Sequence, residues 1–195
     1  MGRPKAALMF GKRTILECLI GELQSTFAEI LVIAAPVRSQ PFPVEELLRE
    51  APPSVRLLRD HNPYEGAAVA LAKGLKAAVN DVAFACSCDL PLLRAEVARS
   101  LCAMLNGYEA VVPRLGGHQQ PLCAVYRCRV AAMIETQLAS GQRRLTHITE
   151  ALKAYHPTEE KLRELDLDLR SFLNVNSPED FQRALALKAA LEGSS

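Results

Sequence analysis

The sequence predicts an α/β fold, a mostly parallel sheet with helices on both faces, and three observations carry that expectation. Short apolar runs alternate with stretches of helical periodicity, which is the pattern of successive βα units. The apolar run Val82-Ala-Phe-Ala-Cys-Ser-Cys88 reads as a buried strand. It ends in Asp89 followed by Leu90-Pro91, so it delivers a carboxylate to a sheet edge, where open parallel sheets bind their ligands.

The elements follow in order. Thr14-Ile-Leu-Glu17 has the spacing of a capping box, and Ile15, Leu16, Leu19, Ile20 and Leu23 recur at helical intervals, which predicts a helix over 15–24. A strand over 29–34, a connection through Pro36, Pro41 and Pro43, a short helix over 44–50 and a strand over 54–58 come next. The loop 59–66 leads into an Ala-rich helix ending near Val79, and the Asp89 strand follows. Further on, a helix over 94–105 precedes a strand at 109–112 and a loop at 113–121, whose Gly116-Gly117 suits a hairpin-like return into a strand over 122–127. Helices are expected over 130–139, with Gly141 just past the end, and over 145–152. Ser177-Pro178-Glu179-Asp180 combines a cap, a proline at the first position and acids at the positive end of the dipole, so a last helix should run to about Leu191.

The 195 residues and 49% hydrophobic content suit one domain spanning 1–195 with a well-buried core. Lys plus Arg number 23 against 22 Asp plus Glu, so no net field favours nucleic acid or an anionic membrane. The longest aliphatic stretch, Ile30-Leu-Val-Ile-Ala-Ala35, is far short of the roughly 18 apolar residues of a spanning helix, and the N-terminus carries no signal-type apolar segment. A cytoplasmic protein is expected. The six cysteines (Cys18, Cys86, Cys88, Cys102, Cys123, Cys128) fall inside expected strands and helices and read as reduced core thiols. Cys86 and Cys88 could share a strand face for a soft metal, but no histidine or second cysteine pair nearby completes such a site.

Two segments carry candidate chemistry. Asp89 at the carboxyl end of a strand is a candidate ligand for a hard cation such as Mg2+, which is held by one or two carboxylates plus substrate phosphates; the alternative is a cap for the following helix. Met1-Gly-Arg-Pro-Lys5 places a glycine, Arg3 and Lys5 shortly before a helix, a candidate phosphate-binding element whose alternative is a disordered basic terminus.

Four segments, Met1-Gly-Arg-Pro-Lys5, Cys88-Asp89-Leu90-Pro91, Gln120-Pro-Leu-Cys-Ala-Val-Tyr-Arg127 and Phe172-Leu-Asn-Val-Asn-Ser-Pro-Glu-Asp180, stand in the order and at the spacing found in the molybdenum cofactor guanylyltransferases. The chain resembles that family over nearly its whole length. The Gln-Pro-Leu and Asn-Val-Asn segments favour the guanylyltransferase branch over the cytidylyltransferase one. The resemblance implies a three-layer Rossmann-like nucleotidyltransferase domain that joins the GMP moiety of GTP to molybdopterin-bound molybdenum and releases pyrophosphate. By the same resemblance Lys5, with Arg3, contacts the triphosphate, and Asp89 holds Mg2+ and touches the nucleotide. Asp60 helps recognise guanine, to whose N1–H and exocyclic amine a carboxylate is a matching acceptor. Gln120, Asn174 and Asn176 line the pterin side. The implied partners are GTP, the molybdenum cofactor, and molybdoenzymes or their chaperones. Structural alternatives stand beside these roles: Asp60 bracing a turn, the two asparagines tying a strand end to the last helix, Gln120 filling a loop.

The chain departs from the family pattern in three places. The family opens with a strand and a Leu-Ala-Gly-Gly-x-Ser-x-Arg loop, and this sequence begins immediately after it, which should leave neighbouring strands with unpaired N–H and C=O groups. Tyr64-Glu-Gly-Ala-Ala-Val69 stands where Pro-Gly-Pro-Leu-Ala-Gly is usual, and the family's asparagine after the second strand falls near Ala34 or Ala35. GTP and CTP therefore both remain open as donors, and so do a sugar-nucleotide pyrophosphorylase and a non-catalytic binding protein for the cofactor or a partner.

Overall fold

The computed structural model describes residues 4–39, 43–62 and 65–193. A 3-10 turn, Lys5–Ala7, leads into a tight antiparallel hairpin of β1 (Met9–Phe10) and β2 (Arg13–Thr14). Helix α1 (Ile15–Leu23) starts on the predicted capping box: the Glu17 amide donates to the Thr14 hydroxyl over 3.3 Å, and the Glu17 carboxylate accepts from the Thr14 amide over 2.6 Å. Strand β3 (Ile30–Ala34) runs parallel to β4 (Val55–Arg59), with the four-residue helix α2 (Val44–Leu47) between them. α2 is shorter than its expected span of 44–50.

Helix α3 (Ala67–Ala77) then leads to β5 (Val82–Cys86), and α4 (Ala95–Ala103) to β6 (Ala110–Val111). The Gly116-Gly117 loop forms a small hairpin of β7 (Arg114–Leu115) and β8 (His118–Gln119). The chain continues through β9 (Cys123–Arg127), α5 (Ala131–Ala139), α6 (Leu145–Glu150), β10 (Ala154–Tyr155) and α7 (Glu159–Arg163) to the long α8 (Pro178–Glu192). Ser177 and Asp180 cap α8 reciprocally, and Pro178 stands at its first turn as expected. No helix among the described residues is long and apolar enough to cross a membrane.

The main sheet has the order β10-β6-β9-β5, with β9 antiparallel to both neighbours and β10 parallel to β6. Alternate residues of its strands face opposite layers. Val111 and Val125 point into one cluster with Phe10, Leu19, Val97, Leu101 and Phe172. Ala110, Val112, Ala124 and Tyr126 point into the other, against Leu71, Leu75, Ile134 and Ile148. Helices thus cover both faces, and truncating a buried leucine of either layer to alanine should cost about 2–5 kcal/mol.

β3 and β4 form a separate two-stranded sheet, and it meets the main sheet at both ends without a ladder. At the amino ends the Val79 amide donates to the Glu29 carboxylate over 3.1 Å, and the rings of Phe27 and Phe84 stack at 6.0 Å. At the carboxyl ends Ala6 packs with Leu16, Ile20 and Ala34, while its neighbour Lys5 reaches Asp89. Between those ends β3 pairs only with β4, and β5 only with β9, among the described residues. Every residue of β5 stays partly exposed although its two faces pack into the two clusters. In β9, which has a neighbour on each side, residues 123–126 are 0–2% exposed. Among the described residues the other edge of β5 has no ladder partner.

Candidate active site

Asp89 does not end β5 directly. The strand stops at Cys86, and Asp89 lies three residues on, in a turn. Three backbone anchors fix that turn. The Ser87 amide donates to the Leu122 carbonyl over 2.9 Å, the Leu93 amide closes back on the Leu90 carbonyl over 3.2 Å, and Leu90 is itself buried at 2% exposure. The third anchor comes from the far end of the chain: the Val175 amide donates to the Asp89 carbonyl over 2.9 Å. Val175 is fully buried, so in this extended segment its neighbours Asn174 and Asn176 turn the other way, toward the cavity.

The side chains converge on the same spot. The Ser87 hydroxyl donates to Asp89 Oδ1 in a very short hydrogen bond. Lys5 Nζ lies 3.1 Å from Asp89 Oδ2 and 2.7 Å from Asn176 Oδ1. Asn176 is held by its own backbone, because the amides of Asn176 and Ser177 both donate to Asp180 Oδ2, over 3.0 and 2.9 Å. A hydrogen bond from the Ser177 side chain, and then those two amide bonds, hold the Asp180 carboxyl below the ordinary carboxylate range.

Ser87, Asp89, Gln120, Asn174 and Asn176 line a cavity of about 340 Å³, with Leu90, Leu122 and Leu145 among its apolar walls. That volume lies at the low end of the range for small-molecule sites. Of the residues singled out by sequence, Lys5, Asp89, Gln120, Asn174 and Asn176 are brought together. Arg3 lies outside the described residues. Ser87 and Leu145 were not expected; the Ser87-x-Asp89 spacing is the signal that could have found the first, since a hydroxyl two residues from a carboxylate can reach it.

Asp60 stands apart from the cavity lining, just past β4, where its amide donates to the Ala34 carbonyl over 2.8 Å. Its Oδ1 is buried with no hydrogen-bond partner among the described residues, and burial raises its pKa above the ordinary value. An orphaned buried oxygen costs free energy, and a ligand donor would satisfy it.

The Lys5 ammonium bonds both Asp89 and Asn176, and the oxygens gathered there are the Asp89 carboxylate, the Ser87 hydroxyl and the Asn176 amide oxygen. Hard divalent cations prefer such ligands. Among the described residues no group of three or more His, Cys, Asp or Glu could hold a metal. A cation here would have one protein carboxylate and would complete its shell with substrate phosphates and water. The cysteines give no soft site. All six are free; burial lifts the Cys86 thiol to about 12, and Cys88, expected in the core, is exposed.

The family model of the MobA-like NTP transferase domain matches residues 1–157. A curated relative from Pelotomaculum thermopropionicum, named probable molybdenum cofactor guanylyltransferase, is 32% identical over 94% of this chain and 85% of its own length. The solved molybdopterin-guanine dinucleotide biosynthesis protein A of Archaeoglobus fulgidus superimposes with a TM-score of 0.79 at 22% identity, covering 97% of this chain and 92% of that one. A Mycobacterium tuberculosis structure, solved in complex with manganese, shares the fold with a TM-score of 0.63 at 16% identity, over 95% of this chain and 93% of its own.

Proposed function

The chain belongs to the MobA-like NTP transferases, in the family of the molybdenum cofactor guanylyltransferases, and from that premise we propose that it transfers GMP from GTP to molybdopterin-bound molybdenum cofactor, releasing pyrophosphate. The observation that carries the reading is the convergence of Lys5, Asp89 and Asn176 at one point, from sequence separations of 84 and 171.

In the reaction an oxygen of the acceptor's phosphate attacks the α-phosphorus of GTP. One P–O bond forms there as the bond from the α-phosphorus to the bridging α,β oxygen breaks, and the electron pair leaves with pyrophosphate. The nucleophile is already an anion, so no general base is needed, and rate comes from positioning and charge neutralisation. Lys5, and by the family resemblance Arg3, would stabilise charge on the departing pyrophosphate. Asp89 is the ligand for a divalent cation, taken to be Mg2+, which when bound would neutralise phosphate charge. Asp60 is assigned to the guanine edge by the family resemblance, a carboxylate being a matching acceptor for its N1–H and exocyclic amine. Gln120, Asn174 and Asn176 present neutral amides suited to the donors and acceptors of a pterin.

Calorimetric titration with Mg-GTP and Mg-CTP tests the donor assignment. Tighter GTP binding is expected, and preferential CTP binding would replace guanylyl by cytidylyl transfer.

A further inference from the structure

We propose that the Lys5 ammonium is the resting counter-cation of Asp89, so that a divalent metal gains the carboxylate only when a triphosphate draws Lys5 away. The inference rests on the reading of Asp89 as the metal ligand, and it concerns what holds that ligand before substrate arrives.

Both carboxylate oxygens of Asp89 accept hydrogen bonds within the protein. Oδ1 accepts from Ser87, and Oδ2 accepts from Lys5 Nζ at 3.1 Å. The ammonium is also held by Asn176 Oδ1 at 2.7 Å, an oxygen that the α8 cap keeps in place. A metal bound to Oδ2 at about 2.1 Å would face a like charge on the same oxygen atom. The two cations compete for one site.

Lys5 is built to yield. Its backbone belongs to a turn fixed by the Ala7 amide donating to the Pro4 carbonyl over 3.0 Å and by the burial of Ala7, yet its side chain is 32% exposed. The four-carbon stem can therefore swing while its root stays fixed. A triphosphate carries several negative charges against the one of Asp89, so it outbids the carboxylate for the ammonium and leaves Asp89 free for the metal. Nucleotide and metal binding are then coupled through a single side chain, which competes with a metal for Asp89.

Lys5→Met keeps length and apolar bulk while removing the charge. Titration of nucleotide-free protein with Mn2+, read by electron paramagnetic resonance of the free ion, should show tighter binding to Lys5→Met than to wild type by about tenfold, within the roughly 5–150-fold typical of coupled sites. Lys5→Arg, which retains a cation, should bind Mn2+ as weakly as wild type. The double variant Lys5→Met/Asp89→Asn should lose the gained affinity. Mn2+ affinity of Lys5→Met equal to or below that of wild type would overturn the counter-cation role. Retention of the tightened binding in the double variant would instead remove Asp89 as the metal ligand, so the two failures are distinguishable.

Discussion

The main-chain carbonyl of Asp89 accepts a 2.9 Å hydrogen bond from the amide of Val175, so the backbone turn that presents the carboxylate is tied to the segment that presents Asn174 and Asn176. Because that bond is made by backbone, it survives side-chain changes at Asp89. The position of the site and its charge can thus be separated experimentally.

Asp89→Asn should accordingly keep its thermal midpoint within a few degrees of wild type while losing about 100-fold or more in metal-dependent turnover, the size of effect seen when one preorganised charge-stabilising group is removed. Circular dichroism melting and turnover at limiting Mg2+ check the two halves. Wild-type turnover in the variant would end the metal-ligand role.

Ser87→Ala removes the hydrogen bond that orients Asp89 Oδ1 without touching the backbone bond from the Ser87 amide to Leu122. A hydrogen bond to a charged acceptor is worth about 1.5–3 kcal/mol. The metal concentration for half-maximal activity should rise about tenfold, with little change in the KM for nucleotide at saturating metal. An unchanged metal requirement would reduce Ser87 to a packing role.

Asp60→Asn should act in opposite directions on stability and binding. Burial raises the Asp60 pKa, so the folded state favours the neutral acid. That preference stabilises the protein below the unfolded-state pKa and is lost as pH rises through the raised folded value. At neutral pH the ionised side chain is a cost, and the amide should raise the melting temperature slightly while weakening GTP binding. In wild type, GTP affinity should fall as pH drops through the raised pKa, and Asp60→Asn should flatten that dependence. Identical pH profiles for GTP binding would remove Asp60 from the nucleotide site.

Among the described residues β3 and β5 each have one edge without a ladder partner, which gives a fourth prediction. An apolar segment of about five residues, joined by a Gly-rich loop ahead of residue 1, would run parallel to both strands and finish beside Lys5, at the carboxyl end of the gap. Such a fusion should slow hydrogen exchange of the β3 and β5 amides, raise the melting temperature and tighten GTP binding relative to the 195-residue chain. Equal exchange rates in the two forms would show that the gap does not accept a strand.

Much of this was legible before the structure. The capping box at Thr14, the Ser177 cap and the Gly116-Gly117 return rest on local chemistry and formed where it put them, while the apolar β5 run formed a strand that stops at Cys86, short of Asp89. The missed elements, β1, β2 and β10, are two residues long and have no periodicity to read; α7 is five residues long and shows no amphipathic stripe. At the site, the strand pattern pointed to Asp89 and the family resemblance to Lys5, but the Lys5 to Asn176 bond spans 171 residues and depends on the α8 cap and the Val175 anchor that hold Asn176. The separation of Asp60 from the cavity was equally hidden, because it follows from β3 and β4 forming a sheet of their own.

The most direct test of the account is formation of pterin dinucleotide from molybdopterin-bound molybdenum cofactor, followed together with pyrophosphate release, in the 195-residue chain, the strand-extended chain and Asp89→Asn. The account predicts one pyrophosphate per dinucleotide with GTP, little product with CTP, more product from the extended chain, and almost none from the variant. Product made equally well by Asp89→Asn, or no product with GTP from either unmutated form, would contradict it.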